Sequence, residues 1–351
     1  MSDYISTQYL YSSLSMSVTK MQSDLATAQT EATTGQYADV GLHLGVQAGQ
    51  EISLQNENGL LQTYTTTNSA VATNLSTTTS ALDTLRTNAQ NTLNNLTEWN
   101  GDTDSGSQLQ ELGSSGLQSL IATANTSVNG QYVFGGINSG SPPLTNYFAA
   151  PNAAQTAIQG AFSSYLAGLS PPATPGNVTA TQMQTFIASP AFTSQFQEPA
   201  WSAAGSNWSS ASSTNVTSNI SPTETITSST NANQSGFSQL AEAYTMLNEF
   251  TGTAINPSAL QVVANQASTL ISQAVTSLTT TEATLGAAQQ QVTDANTNMS
   301  AQMTILQTQI SSLDSADPYQ TSLLVSSLTT QIQTAYSLTA QLQQLSLVKY
   351  L

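Results

Sequence analysis

The chain of 351 residues is poor in charge: 6% of its residues are Asp, Glu, Lys or Arg, and three basic side chains leave a net charge of −16. This composition excludes nucleic-acid binding and attachment to an anionic membrane, because both require clustered Lys and Arg. The absence of cysteine excludes disulfides and thiolate metal sites. No apolar run approaches about 18 residues, so we expect no membrane insertion, and the N-terminus lacks the pattern of a cleaved signal peptide.

The first half of the chain predicts helices separated by a glycine-rich connector. A first helix runs from Ile5 to about Thr33 and ends at Gly35, where residues 35–49 form an ordered but irregular connector with four glycines. A long helix follows from about Gln50 to Trp99, and a shorter one from about Gln108 to Ser127. The seam of the long helix repeats about every 3.5 residues, the coiled-coil period: Val71, Leu75, Thr78, Leu82, Leu85, Ala89, Leu93 and Leu96.

The middle of the chain differs in composition from both ends. The run Gly130-Gln131-Tyr132-Val133-Phe134-Gly135-Gly136 predicts a short β-type segment. Nine of the eleven prolines lie in residues 141–235, a density that argues against long helices. Aromatic residues there can fill a small core: Phe148, Phe162, Tyr165, Phe186, Phe192, Phe196, Trp201 and Trp208. We therefore predict a folded insert, with a disordered spacer as the alternative and residues 207–235 as its most disorder-like part.

The second half returns to helical patterns. The longest predicted helix extends from Ser258 to Leu313, roughly 80 Å at about 1.5 Å per residue. An apolar pattern typical of a helix begins near Gly236. The segment from Asp314 to Pro318 interrupts the helical pattern before a final helix. The apolar seam of the longest helix is Leu260, Val263, Ala267, Leu270, Ala274, Leu278, Leu285, Ala288, Val292, Ala295, Met299, Met303, Leu306, Ile310 and Leu313.

These elements predict a mainly α protein: a long antiparallel helical rod or coiled coil formed by the N- and C-terminal halves, with an inserted irregular, β-containing domain in the middle. Residues 1–40 and 317–351 would form a terminal coiled-coil assembly domain. Residues 41–140 and 236–316 would form the helical rod domain, and residues 141–235 the inserted outer domain.

The apolar seams of the two terminal helices have two interpretations. They are either ordinary bundle core or surfaces that contact other copies, and we favour the second because the chain supplies too few helices to cover them. The predicted assembly interface consists of Ile5, Leu14, Val18, Met21, Leu25, Leu324, Leu328, Ile332, Tyr336, Leu342, Leu345 and Leu347.

Three segments resemble the bacterial flagellin superfamily. The start, Tyr4-Ile5-Ser6-Thr7-Gln8 with a helix ending in Thr34-Gly35, is similar to its N-terminal pattern. The Gly130–Gly136 run is similar to the motif that opens the insert of the hook–filament junction proteins, the third hook-associated type. The end, Asp314 to Asp317 and then Ala335-Tyr336 leading to Leu345-Ser346-Leu347-Val348-Lys349-Tyr350-Leu351, is similar to the C-terminal signature. Gln36 to Val40 depart from the family, which usually has a basic residue and paired aspartates there.

The resemblance implies a structural subunit at the junction between hook and filament, whose terminal segments fold into a coiled coil as they add to a growing tube. It implies an extracellular location in the flagellum, type III export without a cleaved signal peptide, and an export chaperone. The implied partners are copies of itself in a ring or tube, other hook-associated proteins and flagellin. One alternative is a flagellin that polymerises into the filament itself. Another is a secreted adhesin or surface enzyme with its activity in the insert.

No residue pattern predicts catalysis, a metal or a cofactor. His43 is the only histidine, and a catalytic base needs a positioned partner that the sequence does not indicate. Asp102 with Asp104, and Asp314 with Asp317, have too few ligands for a calcium loop, and turn or helix-cap roles suit them better. We predict that the protein is not an enzyme.

Overall fold

The computed structural model describes residues 7–99, 106–150, 152–202, 208–252 and 255–348. The mainly α fold predicted from the sequence is confirmed. The ten helices of the described residues are α1 Thr7–Thr34, α2 Val40–Leu44, α3 Ala48–Glu98, α4 Gly106–Ala124, α5 Ala153–Gly168, α6 Ala180–Ile187, α7 Pro190–Thr193, α8 Ser235–Glu249, α9 Pro257–Asp314 and α10 Pro318–Val348. The strands are β1 Ser127–Val128, β2 Gln131–Tyr132, β3 Thr217–Asn219 and β4 Thr225–Thr227, which form two antiparallel hairpins.

The long helices lie within a few residues of their predicted positions. The central helix, predicted from Ser258 to Leu313, is the 58-residue α9. Most of its predicted seam is buried, and Met303, Ile310 and Leu313 are half-buried. The sequence Gly101-Asp102-Thr103-Asp104-Ser105-Gly106 predicts a turn between α3 and α4. Residues 101–105 lie outside the described residues, and Gly106 is the first residue of α4. None of the helices in the part of the chain that the structure describes is long and apolar enough to cross a membrane.

The chain divides into two compact units. One contains the described residues up to Gln62 together with those from Ser300 onward, and the other is Thr63–Met299. The long helices α3 and α9 contribute residues to both units.

In the larger unit, α3 and α9 run antiparallel. The amide of Asn68 donates to Asn296 Oδ1 at 2.8 Å, Gln289 donates to Thr79 Oγ1 at 3.2 Å, and Arg86 Nε donates to Glu282 at 3.3 Å. Arg86 also pairs with Asp83 on its own helix. Buried side chains of α3 recur every seven residues at Leu75, Leu82, Ala89 and Leu96. This spacing is the heptad of a coiled coil.

Helices α4 and α8 cross at very short distance because glycines face the partner helix. A Cβ on Gly113 would lie 2.6 Å from Leu247 Cβ, and a Cβ on Gly116 would lie 2.5 Å from the ring of Tyr244. Contacts below 3.0 Å cannot be accommodated without movement, and at Gly113 the obstacle includes the backbone of α8. The glycines therefore set the distance between the two helices.

We expect Gly113→Ala to lower the free energy of unfolding by about 1–3 kcal/mol, because the added methyl group overpacks the crossing. Chemical denaturation followed by circular dichroism measures the change. Gly160→Ala on α5 is the control, since a Cβ there meets nothing within 4 Å. Equal stability of the Gly113→Ala variant and the wild type would contradict the close crossing.

The insert is folded, and its core is shared with the helices α3, α4, α8 and α9 of the larger unit, which we call the bundle. Phe250, at the end of α8, lies 4.8 Å from Phe162, 5.3 Å from Phe186 and 5.4 Å from Phe192 between ring centroids. Helix α5 lies between Pro151 and Pro171, so one stretch of the insert is long enough for a 16-residue helix despite the proline content. The prolines thus limit the length of the helix in the insert but do not prevent its formation.

A second link between insert and bundle centres on the carboxylate of Glu249. It accepts hydrogen bonds from Tyr147 Oη at 3.0 Å and from Gln159 Nε2 at 2.9 Å. Burial, and secondly the negative charge of Glu249, raise the pKa of Tyr147 above its ordinary range, so the phenol remains a donor. The bundle therefore anchors the insert through both apolar and polar contacts.

The prediction that residues 207–235 are disorder-like is wrong for the described part, 208–235. Trp208, Ile220 and Ile226 are buried, and β3 pairs with β4. The carbonyl of Ile220 accepts a 2.8 Å hydrogen bond from Asn68, and Ala232 N donates to Phe134 O at 2.9 Å. The polar composition wrongly suggests disorder, because backbone groups of this segment form hydrogen bonds with Asn68 of α3 and with the backbone of Phe134 rather than with water.

The glycine-flanked run at residues 130–136 forms the predicted β-type segment. Strands β1 and β2 are joined by Asn129 and Gly130, with φ of 52° and 78°. Positive φ at both turn positions is the requirement of a tight hairpin, which Asn-Gly meets. Phe134 then inserts beside Phe237 of α8, with ring centroids 5.1 Å apart.

Candidate assembly surface

The smaller unit contains the paired helices α1 and α10. Gly35, with φ of 71°, ends α1, and Gln36 forms a β-bridge with Ser315 just before α10. Further along, Gln22 donates to Tyr336 Oη at 2.6 Å. Residue numbers rise on α1 as they fall on α10, so the pair is antiparallel, and Val18 and Ala28 on α1 and Leu328, Ile332 and Ala335 on α10 are buried.

The segment before α10 ends in a side-chain cap that starts the helix. Asp317 Oδ1 accepts from the backbone N–H of Tyr319 at 2.9 Å, and Pro318 occupies the first helical position. An N-terminal carboxylate satisfies free amides and favours the positive end of the helix dipole. Asp317 therefore has the predicted cap role, and among the described residues no group of three or more His, Cys, Asp or Glu could hold a metal ion.

The structure divides the predicted interface residues into three groups. Val18, Leu328 and Ile332 are buried between α1 and α10, and Leu14, Met21 and Leu25 are half-buried. Leu324 and Tyr336 are exposed at 47% and 52%. Ile5 lies outside the described residues, as do the side chains of Leu342, Leu345 and Leu347, whose backbone belongs to α10.

Further exposed apolar residues of α10 were not in the predicted set. Tyr319, Leu323 and Leu338 are exposed, and on α1 so are Tyr9, Tyr11 and Met16. Helix α10 carries no charged residue along its 31 residues. An uncharged helix with apolar side chains on its outer face is typical of a surface that is covered in an assembly. The absence of charge along α10 is visible in the sequence, but it applies to the whole helix and does not identify its outer face.

The connector between α1 and α3 is ordered. Asp39 Oδ1 accepts from Leu42 N at 2.9 Å at the start of α2, and the rings of Tyr37 and His43 stack with centroids 3.5 Å apart. The stack covers one face of the only histidine with an aromatic ring. The contacts assign His43 a packing role within the connector.

The larger unit contains a small cavity of about 110 Å³ between α3 and the two hairpins. Its polar lining consists of neutral amides and hydroxyls, among them Asn74, Thr78, Tyr132 and Ser218. None of the lining residues carries a charge. The cavity therefore offers hydrogen bonds, but its lining contains no histidine, carboxylate or lysine that could act as a base and activate a hydroxyl.

Comparison with known proteins links both ends of the chain to one family. The bacterial flagellin N-terminal helical region matches residues 5–139, and the bacterial flagellin C-terminal helical region matches residues 268–351. Together the two matches span more than half of the chain. No curated protein matches the chain significantly in sequence.

The fold is similar to that of a solved structure assigned as a flagellar hook-associated protein from Vibrio parahaemolyticus. The TM-score is 0.51 at 12% sequence identity, and the match covers 76% of this chain and 97% of that one. Identity at this level shows a common fold. Flagellin-family proteins are structural components of the extracellular flagellum rather than enzymes, which agrees with the absence of a catalytic pattern in the sequence.

With matching helical regions at both ends, antiparallel pairing of α1 with α10 and a hook-associated-like fold, the chain belongs to the bacterial flagellin family.

Proposed function

We propose that this protein forms the junction between the flagellar hook and filament, and that copies associate through the outer face of the α1–α10 pair. The observation that carries the proposal is the uncharged α10 with exposed Leu323, Leu324, Tyr336 and Leu338. Burial of a large apolar side chain contributes about 1.5–3 kcal/mol. A few such contacts can offset the conformational entropy that side chains lose when they are ordered in the assembled tube.

The junction role is supported by the likeness in fold to the hook-associated protein, most of which is covered by this chain. The neighbours of this chain would be hook-associated proteins on one side and flagellin on the other. Export without a cleaved signal peptide, assisted by a chaperone, belongs to the same proposal.

A flagellin that builds the filament is the second candidate, favoured by the two flagellin regions that match. Antibody labelling of isolated flagella separates the candidates: a single band at the hook end supports the junction, and label along the filament supports the filament subunit. Growth of purified protein into micrometre filaments on seeds, without other proteins, would also reject the junction role.

The assembly surface is tested with Leu324→Asp and Leu338→Asp. Each places a charge on the exposed apolar face, and we expect the amount of protein in isolated flagella to fall by about tenfold or more. Leu324→Met, which keeps the face apolar, should incorporate normally. Circular dichroism of the purified variants should show wild-type helix content, since both side chains are exposed. Normal incorporation of both charged variants would overturn the assignment of this face.

A further inference from the structure

The connector holds two apolar side chains outward on a hydrogen-bonded scaffold. Its first residues are tied to the start of α10 by bonds from Tyr37 N to Asp314 O at 2.9 Å and from Ala316 N to Gly35 O at 3.0 Å. Ala38 N also donates to Glu31 Oε1 at 3.1 Å. These bonds, the Asp39 cap and the Tyr37–His43 stack fix the path of the chain, so the exposed residues that follow have a defined position.

Those residues are Leu42 and Val46, exposed at 83% and 100%. Leu42 belongs to α2 and Val46 to the 3-10 turn Gly45–Gln47 that follows it, so both lie within one short, hydrogen-bonded segment. Isolated exposed apolar residues are common, but a pair projecting from a rigid segment is the form that interface anchors take. We call this pair the connector knob.

The same unit presents another exposed apolar side chain on the last part of α9. Ile305 is exposed at 58%, and residues 300–313 contain no charged side chain. The connector from Val40 to Gln50 contains no acidic residue either. Two copies that each carry a net charge of −16 repel, so their closest contacts are favoured where both surfaces are uncharged.

We propose that the connector knob of one copy packs on the α9 surface around Ile305 of the next copy. The occupant is a second copy because the chain belongs to a family whose subunits self-assemble, and because the connector continues directly from α1 of the proposed assembly surface. Knob and receiving surface differ, so the contact is head-to-tail, the type that generates rings or helical tubes. The inference rests on the proposed function and adds a second contact to it.

The absence of natural cysteine allows a direct test by cross-linking. In flagella isolated from cells that make the Val46→Cys, Ile305→Cys double variant, a short bismaleimide should produce a ladder of dimers and larger species. Either single variant alone should give no dimer, because a head-to-tail contact never brings two copies of one position together. The diluted monomer of the double variant should give no ladder either.

Two results would overturn the inference. One is the absence of a ladder in flagella where both cysteines react with a monofunctional maleimide. The other is efficient dimer formation by Val46→Cys alone, which would show a symmetric contact. In both cases the protein is still in the flagellum, so the proposed function survives. Absence of the wild-type protein from flagella would instead reject the proposed function and this contact together.

A second measurement does not depend on cross-linking chemistry. Val46→Asp and Ile305→Asp should each reduce incorporation about tenfold or more, while Asn94→Asp, at an exposed position of α3 outside the connector, leaves it unchanged. The Val46→Lys, Ile305→Asp double variant should regain part of the loss, because lysine and aspartate then meet between neighbouring copies. Full incorporation of both single Asp variants would contradict the contact.

Discussion

Replacing Phe250 with alanine is expected to lower the free energy of unfolding by about 3–5 kcal/mol, the range for deletion of a buried aromatic side chain. The ring is 1% exposed and touches Phe162, Phe186 and Phe192 of the insert, so the loss falls on the contact between insert and bundle. Urea denaturation gives the stability. Fluorescence of the buried Trp201 and Trp208 should shift to longer wavelength if the insert loosens.

Phe148→Ala is the matched control for this experiment. Phe148 belongs to the insert and contacts the ring of Tyr147, but it is exposed at the surface. We expect it to cost much less than Phe250→Ala, because little apolar area returns to water. Similar stability of the two variants would mean that the insert core does not depend on Phe250.

The role of Phe250 also affects how the adhesin alternative should be tested. Deletion of residues 141–235 removes the aromatic partners of Phe250 and two donors to Glu249, Tyr147 and Gln159, so it would destabilise the bundle as well as remove the insert. A loss of swimming after the deletion would then have two causes. Substitutions at exposed insert residues such as Val216 test surface adhesion without this effect.

Apolar periodicity was sufficient to predict the long helices because their burial follows the heptad closely. One position of α3 shows that hydrophobicity alone does not identify the buried residue. Thr92 is buried and Leu93 is half-buried, although Leu93 was predicted to lie in the seam. Thr92 follows Thr78 and Leu85 at steps of seven, so geometry selects the position and its hydroxyl bonds to Asn88 O at 3.0 Å. The phase of the heptad was more informative than the residue type.

The burial of Asn68 and its hydrogen bonds could not have been predicted from its position in the sequence. Asn68 is fully buried in α3, seven residues before Leu75, where the heptad calls for an apolar side chain. Its amide donates both to Asn296 and to the carbonyl of Ile220, which lies more than 150 residues away. The role of Asn68 depends on the folded insert, and no local pattern in the sequence contains that contact.

The assembly surface was partly accessible from sequence. The seam residues of the terminal helices were identified, yet periodicity does not say whether a seam meets its own chain or another copy. In the structure Val18, Leu328 and Ile332 pack within the α1–α10 pair, whereas Leu324, Tyr319, Leu323 and Leu338 are exposed. Tyr336 is also exposed, but its hydroxyl accepts a hydrogen bond from Gln22 of α1. The distinction depends on which faces of the two helices meet, and this information is three-dimensional.

Glu242 of α8 makes the stability of the larger unit depend on pH. Burial raises the pKa of Glu242 to about 7 from its ordinary value of 4.5. The folded protein thus binds this proton more tightly than the unfolded chain. The contribution of Glu242 is most favourable below pH 4.5 and is lost as the pH rises to about 7. The full difference is on the order of 3 kcal/mol, since one pKa unit corresponds to about 1.4 kcal/mol.

Glu242→Gln removes the titrating group while keeping the size and shape of the side chain. The variant should therefore be more stable than the wild type at pH 8, by up to about 3 kcal/mol, and nearly equal to it at pH 4. Unfolding free energies measured in urea at both pH values give the difference. Glu57→Gln, at an exposed position of α3, controls for the loss of one negative charge from a chain with net charge −16. A gain that is the same at pH 4 and pH 8 would contradict the raised pKa of Glu242, because the effect would then not depend on ionisation of the carboxyl. An equal gain at pH 8 from Glu57→Gln would attribute the effect to net charge rather than to burial.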